Sequence, residues 1–242
     1  MKEEPQVFRP KHLTIDDIRE GCVTLYGEDN EETKLCMVQE EFRQGIDMIQ
    51  SFSPSVTFYG SARLPEDHPE YARARRIAQR ISEETGAAIL SGGGGGIMEA
   101  ANRGGYDAGG KSVGLTIKLP FEQKTNPYVT DVVPFYFFFT RKISMSYTTE
   151  ACLFFAGGFG TFDELFEMLT LRQTKKIDDV PIILVGTEFW MPFQNAIKSV
   201  MVDKFKTVAE KDFDLYTITD DEDEILKIIK NTKIRDGKAT LA

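Results

Sequence analysis

The fold is decided by residues Cys152 to Glu164, which read CLFFAGGFGTFDE. The apolar run Cys152 to Ala156 is typical of a buried strand, and a helical pattern begins near Thr161. Between the two lie three closely spaced glycines, Gly157, Gly158 and Gly160. Glycines allow backbone N–H groups to crowd around an anion at a helix N-terminus, where unpaired amides and the helix dipole favour negative charge. The segment therefore predicts an anion site, with the carboxylate of Glu164 beside it.

Outward from this segment, short apolar runs alternate with helical patterns. Strands are predicted over residues 56–59, 87–90, 112–117, 132–139, 153–155 and 181–185, and helices over 69–85, 97–108, 141–149, 161–175 and 188–201. Strands that alternate with helices pair in parallel, so the sequence predicts an α/β fold. We expect a doubly wound, mostly parallel, Rossmann-like sheet flanked by helices, with a charged helix after Asp220.

The first 50 residues differ from the rest of the chain. They are acidic and polar, and then gain helical spacing through Val38, Phe42, Ile46 and Ile49, an amphipathic pattern that needs a partner surface. We interpret residues 1–50 as an N-terminal helical arm that packs on the core or on another subunit. Residues 51–242 are interpreted as a Rossmann-like nucleotide-binding catalytic domain.

The charge balance limits the class of ligand. The 242 residues include 29 basic and 38 acidic side chains, a formal net charge of −9. This balance disfavours broad contact with nucleic acid or an anionic membrane, whereas a local cluster of N–H groups and an arginine can still hold a small anion. We therefore expect a small-molecule ligand and neither a nucleic-acid nor a membrane partner.

The cysteines and the N-terminus predict the compartment. Cys22, Cys36 and Cys152 are far apart and odd in number, which argues against a disulfide framework and fits a reducing cytosol. The acidic start lacks the pattern of a signal peptide, and no apolar run approaches the roughly 20 residues that span a bilayer. Without a CxxC motif or a histidine cluster, no metal site is predicted. We expect a cytoplasmic protein.

Three predicted strands end in small residues that would lie at one edge of a parallel sheet. Gly60 and Ser61 follow the first strand, the run Ser91 to Gly96 follows the second, and Gly157 to Thr161 follows the fifth. Ligands bind at the carboxyl ends of the strands in such sheets. The five consecutive glycines of the second loop imply close approach by a ligand or a neighbouring strand, although a flexible tight turn is the alternative.

Two nucleotide-binding fingerprints do not fit these glycines. Asp163 occupies the position of the last glycine in G-x-G-x-x-G, so the usual NAD site is not indicated. The P-loop pattern occurs from Gly105 to Ser112, but it follows a helix and leads into a strand, the inverse of the P-loop context.

Glu164 and Arg141 are the candidate reactive side chains. Thr161 to Glu164 also fits a capping box, in which the glutamate reaches back to the start of the helix, so capping and chemistry both remain open for Glu164. Arg141 should lie near the start of a helix just after another strand, where a guanidinium could reach an anion at the same edge. Its alternatives are a solvated helix position or a salt bridge to Glu150 or Asp163.

Three segments occur together: Phe155 to Glu164, Thr140 to Met145 and Gly94 to Gly104. In this order and spacing they resemble the LOG family, the cytokinin riboside 5′-monophosphate phosphoribohydrolases, whose members are often labelled lysine decarboxylases. The similarity covers residues 54 to 200, and residues 1–50 are additional, as in longer bacterial members of the family. Ala156 replaces the proline of the family's P-G-G-x-G-T-x-x-E pattern, which loses some turn rigidity.

The resemblance implies hydrolysis of the N-glycosidic bond of a nucleoside 5′-monophosphate, either AMP or a cytokinin riboside 5′-monophosphate, to free base and ribose 5-phosphate. It implies that Arg141 and Glu164 are catalytic and that no cofactor is needed. The implied substrate-binding residues are Gly60, Ser61, Gly93, Gly94, Glu122, Lys142, Gly157, Gly158, Gly160, Thr161 and Thr170. Cleavage of this bond builds positive charge on the ribose, which a carboxylate stabilises while it orients or deprotonates water.

Other functions are weighed against this one. A decarboxylase would need pyridoxal phosphate on a lysine, and no segment marks such a lysine. A non-catalytic nucleotide or cofactor carrier is the remaining alternative, because related folds, including molybdenum-cofactor carriers, hold ligands on a similar glycine platform. The apolar stretch Phe135 to Phe139, the arm and the family resemblance predict a homodimer or higher homo-oligomer.

Overall fold

The computed structural model of the protein describes residues 14–28, 30–119 and 124–233. The helices are α1 (Ile15–Tyr26), α2 (Glu31–Gln50), α3 (Pro69–Thr85), α4 (Ile97–Asp107), α5 (Phe138–Thr148), α6 (Phe159–Gln173), α7 (Thr187–Ile197) and α8 (Glu222–Lys230). The strands are β1 (Ser55–Tyr59), β2 (Ala88–Ser91), β3 (Ser112–Ile117), β4 (Asp131–Phe135), β5 (Ala151–Phe154), β6 (Ile182–Val185) and β7 (Thr217–Thr219). A π-helical segment, Lys198–Lys204, continues α7, and a 3₁₀ segment, Glu210–Leu215, precedes β7.

The seven strands form one parallel sheet in the order β4-β3-β2-β1-β5-β6-β7. The predicted Rossmann-like fold is confirmed. The chain runs outward from β1 to β4 and then returns to place β5 on the other side of β1, which makes the gap between β1 and β5 the topological switch point. Ligands of open α/β sheets bind in the crevice at such a point.

Two hydrophobic cores cover the two faces of the sheet. Side chains alternate across a strand, so Phe58 of β1 packs in one core with α3, α4 and α8. Tyr59, the next residue, packs in the other core, to which α2, α5, α6 and α7 contribute. Because all the strand pairs are parallel, the carboxyl ends of the strands lie at a single edge, between these two layers of helices.

Some predicted boundaries were wrong. The strand predicted over 132–139 ends at Phe135, and α5 already begins at Phe138. Helix α6 begins at Phe159, two residues before the predicted start. Helix α1 lies within the predicted helical arm but was not predicted as a separate helix, and the three-residue strand β7 is too short to show a periodic pattern.

The helical arm forms a hairpin in which α1 packs on α2, and α2 packs on α5. The rings of Phe42 and Phe139 lie 6.2 Å apart, centroid to centroid. Cys22 and Cys36 form a disulfide, with Cα atoms 5.8 Å apart, so the expectation of no disulfide was wrong. The hairpin accounts for this pairing, because it folds two cysteines separated by 14 residues onto each other. Cys152 is buried in β5 and takes no part in this disulfide. The division into an arm and a catalytic domain stays a prediction.

Among the residues that the structure describes, no helix has both the length and the apolar character needed to cross a bilayer.

Candidate functional site at the carboxyl edge of the sheet

Three loops meet at the switch point. The backbone N–H of Ser61, after β1, donates to the carbonyl of Ala156, after β5, at 3.0 Å. The carbonyl of Ser61 in turn accepts from the N–H of Ile97 at 2.9 Å, at the start of α4. The sequence predicted these three loops at one edge of the sheet, and in the structure backbone hydrogen bonds connect them. They form one continuous rim.

The glycine run after β2 is a tightly packed loop. Gly93 and Gly96 have positive φ angles of 71° and 65°, a backbone conformation that glycine adopts without strain. A Cβ atom at Gly96 would lie 2.2 Å from the carbonyl oxygen of Ser61, and one at Gly60 would lie 2.7 Å from the side chain of Ile97. At Gly60 and Gly96, the lack of a Cβ atom allows neighbouring backbone and side-chain atoms to approach the main chain closely.

A buried polar network holds this loop in place. The Asn102 Oδ1 atom accepts from the Ser91 hydroxyl at 2.7 Å and from Asn126 Nδ2 at 2.9 Å. Asn126 Nδ2 also donates to the carbonyl of Gly94, and its backbone N–H donates to the carbonyl of Gly93. Sequence analysis missed both asparagines. The available signal was a polar residue, Asn102, among the apolar and small residues on the buried face of α4.

The N-terminus of α6 is open to solvent. Gly158 is the N-cap residue and no side chain caps the helix, so the first N–H groups of α6 remain available to an anion. Gly158 and Gly160 are exposed, and a Cβ atom at either would have no heavy atom within 4 Å. Thr161 is buried instead and packs against Gly157, where a Cβ would lie 2.1 Å from the threonine hydroxyl oxygen.

The capping-box interpretation of Glu164 was wrong. Thr161 is the third residue of α6 rather than its N-cap, so Glu164 lies in the second turn, without a cap to complete. Burial raises the pKa of Glu164 to about 7, opposed by Arg141 and Lys142 and reinforced by Asp163 and Glu167. A carboxyl group with this pKa exchanges protons near neutral pH, as a general acid or base must.

Arg141 and Glu164 lie side by side. The Arg141 Nη2 atom is 3.8 Å from Glu164 Oε1, and the side chains are only 11% and 19% exposed. The alternative partners proposed for Arg141 are engaged elsewhere. Asp163 pairs with Lys142, and Glu150 accepts from the N–H of Ser55 at 2.6 Å, at the opposite edge of the sheet.

The guanidinium of Arg141 also reaches the glycine loop after β2. A Cβ atom at Gly92 would lie 2.7 Å from Arg141 Nη2 and 2.7 Å from the sulfur of Met98. Arg141 Nε is buried and has no hydrogen-bond partner among the described residues. Arg141 therefore bridges the loop after β2 and the carboxylate on α6.

Lys142, unlike Arg141, pairs with two carboxylates of α6. Its Nζ atom lies 2.8 Å from Asp163 Oδ2 and 3.1 Å from Glu167 Oε2. Burial alone would lower the pKa of Lys142, but its hydrogen bonds to these two carboxylates raise it overall. Lys142 joins α5 to α6 and neutralises charge around Glu164.

Another predicted substrate contact, Thr170, lies further along α6 than Glu164. The hydroxyl of Thr170 is exposed and donates to the carbonyl of Phe166 at 2.7 Å within α6. Six residues separate Thr170 from Glu164, about 9 Å along the helix axis. The structure therefore does not bring Thr170 to the Arg141 side chain. Glu122 lies outside the described residues.

Tyr59 is an additional candidate site residue, which the sequence analysis did not identify. It ends β1, directly before Gly60, and its ring stacks on Phe154 with centroids 4.5 Å apart. Burial raises the pKa of the Tyr59 hydroxyl well above its ordinary value, and the charges of Cys152 and Glu164 raise it further. The hydroxyl therefore stays protonated at neutral pH, close enough to Glu164 and Arg141 for their charges to influence its pKa. An aromatic residue at the end of a strand, before Gly-Ser, was the available signal.

In the described parts of the chain, no group of three or more His, Cys, Asp or Glu side chains is arranged to hold a metal ion. The site consists of an open helix N-terminus, a packed glycine loop, and a paired arginine and glutamate.

These features define a Rossmann-like protein with an uncapped helix N-terminus and a paired arginine and glutamate at the switch point. Residues 98–229, more than half of the chain, match the family model described as "Possible lysine decarboxylase", and the chain belongs to that family. This assignment agrees with the resemblance of the motifs to the LOG proteins.

One sequence relative and three solved structures are similar to this chain. An uncharacterised protein of Archaeoglobus fulgidus is 25% identical over 134 residues, which cover 54% of this chain and 85% of that protein. The molybdenum cofactor binding protein of Rippkaea orientalis is 18% identical, with a TM-score of 0.56, over 73% of this chain and 95% of its own. The protein TM1055 is 23% identical, with a TM-score of 0.53, over 73% and 98% of the two chains. A Moco carrier protein of Chlamydomonas reinhardtii is 20% identical, with a TM-score of 0.51, over 73% and 95%. At these identities the solved structures support the fold alone.

Proposed function

We propose that the protein hydrolyses the N-glycosidic bond of a nucleoside 5′-monophosphate, AMP or a cytokinin riboside 5′-monophosphate, to free base and ribose 5-phosphate. The observation that carries this proposal is the Arg141–Glu164 pair, whose Nη2 and Oε1 atoms are 3.8 Å apart beside the open N-terminus of α6. A phosphate at this N-terminus would accept hydrogen bonds from the backbone N–H groups of the turn Gly158 to Gly160. The ribose would then lie over Glu164.

In this proposal Glu164 acts in its ionised form. As the bond from C1′ to the base breaks, positive charge develops on the ribose, and the carboxylate stabilises it. Glu164 accepts a proton from the water that attacks C1′, and the departing base takes a proton from solvent. A carboxyl group with a pKa of about 7 is half ionised at neutral pH and is therefore matched to this proton transfer.

Arg141 would supply position rather than protons. Its guanidinium lies against the Gly92 backbone and near Glu164, so it can hold an oxygen of the ribose or the phosphate between the two loops. A substrate oxygen would also give the buried Nε atom a hydrogen-bond partner. Fixed geometry of this kind lowers the barrier by orienting the reactants.

A carrier of a nucleotide or cofactor is the second candidate, because two of the structural neighbours are described as a molybdenum cofactor binding protein and a Moco carrier protein. A carrier needs the glycine platform but gains nothing from a buried carboxylate that titrates near neutral pH. The Arg141–Glu164 pair favours the enzyme.

We also propose a homo-oligomer that has no nucleic-acid partner. The Cys22–Cys36 disulfide removes the cysteine argument for a reducing cytosol. Phe135 of the apolar stretch is buried in the core, but Tyr136, Phe138 and Phe139 are each about half exposed, at 48%, 57% and 49%. Contact with a second subunit would bury these rings.

The experiment is an assay of adenine release from AMP by the wild type and three variants. We expect Glu164→Gln to lower kcat by about 10²- to 10⁴-fold, the range for loss of a general base. Arg141→Lys should also lower kcat, because a lysine cannot bridge two loops with a planar fork. Asp163→Asn, a change in the exposed neighbour of Glu164, is the matched control and should stay within a few-fold of the wild type. Nucleotide binding without release by the wild type would favour the carrier.

A further inference from the structure

Helix α5, which carries Arg141, has no cap from its own sequence. Its N-cap residue is Phe137, which has no side-chain acceptor. The carboxylate of Glu41, on α2 of the arm, instead binds the two residues that precede α5 and the third residue of the helix. Its two oxygens accept from the backbone N–H groups of Tyr136 and Phe137 at 2.7 and 3.2 Å and from the hydroxyl of Thr140 at 2.7 Å.

Glu41 is a costly residue to bury, and its contacts offset that cost. The side chain is 2% exposed, and burial raises its pKa, opposed by the hydrogen bonds from Thr140, Tyr136 and Phe137. Charge-assisted hydrogen bonds are about twice as strong as neutral ones, and a negative charge at a helix N-terminus is favoured by the helix dipole. A carboxylate placed here holds the first turn of α5 in one position.

The rest of α2 reinforces this contact. A Cβ atom at Gly45 would lie 2.7 Å from Phe135 Cζ and 3.0 Å from the hydroxyl of Ser144, so the two helices approach closely. One turn before Gly45, Glu41 contacts Thr140, the residue directly before Arg141. The arm thus holds α5 at the turn from which the Arg141 side chain extends towards Gly92.

We propose that Glu41 is a positioning residue for Arg141, so that the N-terminal arm is a working part of the active site. This inference rests on the proposed function, in which Arg141 holds the substrate. The carboxylate fixes the position of the start of α5. The position of α5 in turn determines where the Arg141 guanidinium lies relative to the glycine loop and Glu164. Loss of the carboxylate should misplace the guanidinium without unfolding the sheet.

The test compares Glu41→Gln with Glu41→Asp and with Glu40→Gln, a neighbouring change on α2. Glu40 pairs with the exposed Arg43 at 2.6 Å and has no contact with α5 among the described interactions, so it is a matched control. In Glu41→Gln an amide replaces a carboxylate that accepts three hydrogen bonds. The NH₂ group of the amide is a donor, and it would face the donors that the carboxylate oxygen now accepts from. We expect kcat for AMP to fall by at least about 10-fold with KM changed less than threefold, and Glu41→Asp to restore part of it.

A second readout does not depend on catalysis. The Nε–Hε resonance of Arg141, assigned by its loss in Arg141→Lys, should shift in ¹⁵N-arginine spectra of Glu41→Gln and stay unchanged in Glu40→Gln. An unchanged Arg141 resonance and unchanged kcat in folded Glu41→Gln would overturn the proposal, and so would a loss of thermal stability alone. If the wild type cleaves no nucleotide, the proposed function fails, and the resonance still decides whether Glu41 positions Arg141.

Discussion

Replacement of Glu164 by glutamine should stabilise the protein, and the size of the gain should depend on pH. Glu164 has an ordinary pKa of 4.5 in the unfolded chain and about 7 in the folded protein, chiefly because of burial. Below pH 4.5 both states carry the proton, so the group has no effect on the pH dependence. Between pH 4.5 and 7 the unfolded chain loses its proton while the folded protein keeps it, so the free energy of unfolding falls as pH rises.

The magnitude follows from the two pKa values. At 1.36 kcal/mol for each pKa unit, the difference corresponds to roughly 3 kcal/mol, lost in full above pH 7. Glutamine has nearly the same shape and no charge, so it avoids this cost. The free energy of unfolding of Glu164→Gln should therefore exceed that of the wild type by up to about 3 kcal/mol at pH 8, which is roughly 6 to 12 °C in unfolding temperature for a chain of this size.

The assay is thermal and urea unfolding of both proteins between pH 4 and pH 9. The difference between them should be small at pH 4 and grow through the interval between the two pKa values. A difference that does not change with pH would contradict the reasoning, as would a variant that is less stable than the wild type at pH 8. Asp163→Asn, at the exposed neighbouring position, should give no comparable gain.

Three further predictions concern the loops and the arm. Gly92→Ala places a methyl group against the Arg141 guanidinium and should lower kcat by about 10- to 100-fold with little change in unfolding temperature. In Gly160→Ala the added methyl group has open space, so stability should not fall. A rise of about 10-fold in KM for AMP would show that the substrate approaches this backbone, and an unchanged KM would contradict the phosphate placement. Cys22→Ser removes the link to Cys36 and should lower the free energy of unfolding by about 3 kcal/mol, measured by urea unfolding against the oxidised wild type; equal stability would contradict a formed disulfide.

Local signals in the sequence were sufficient for much of the fold. The prediction for residues 69–85 matches α3, because Pro69 stands at the first helical position and Gly86, with φ of 71°, ends the helix. The prediction for 112–117 matches β3, whose apolar run is bounded by polar residues. Such boundaries depend on residues adjacent in the chain, and a sequence pattern records them directly.

Contacts between distant residues could not be predicted in this way. The aromatic run 132–139 has the composition of a strand, but the strand ends at Phe135, and the carboxylate of Glu41, about 95 residues earlier, binds the N–H groups of Tyr136 and Phe137 between the strand and α5. The Cys22–Cys36 disulfide depends on the turn between α1 and α2, and cysteine counting gave the wrong answer. In the site, sequence motifs predicted the neighbourhood of Arg141 and Glu164, but only the three-dimensional packing shows that Arg141 lies over Gly92.

The most direct test of the central claim is the rate of free-base release by the purified wild type from AMP and from adenosine at equal concentrations. The account predicts adenine and ribose 5-phosphate in equal amounts from AMP, and release from adenosine that is slower by at least about 100-fold, because binding of the phosphate contributes to catalysis. Release of adenine from neither compound, and none from isopentenyladenosine 5′-monophosphate, would contradict it.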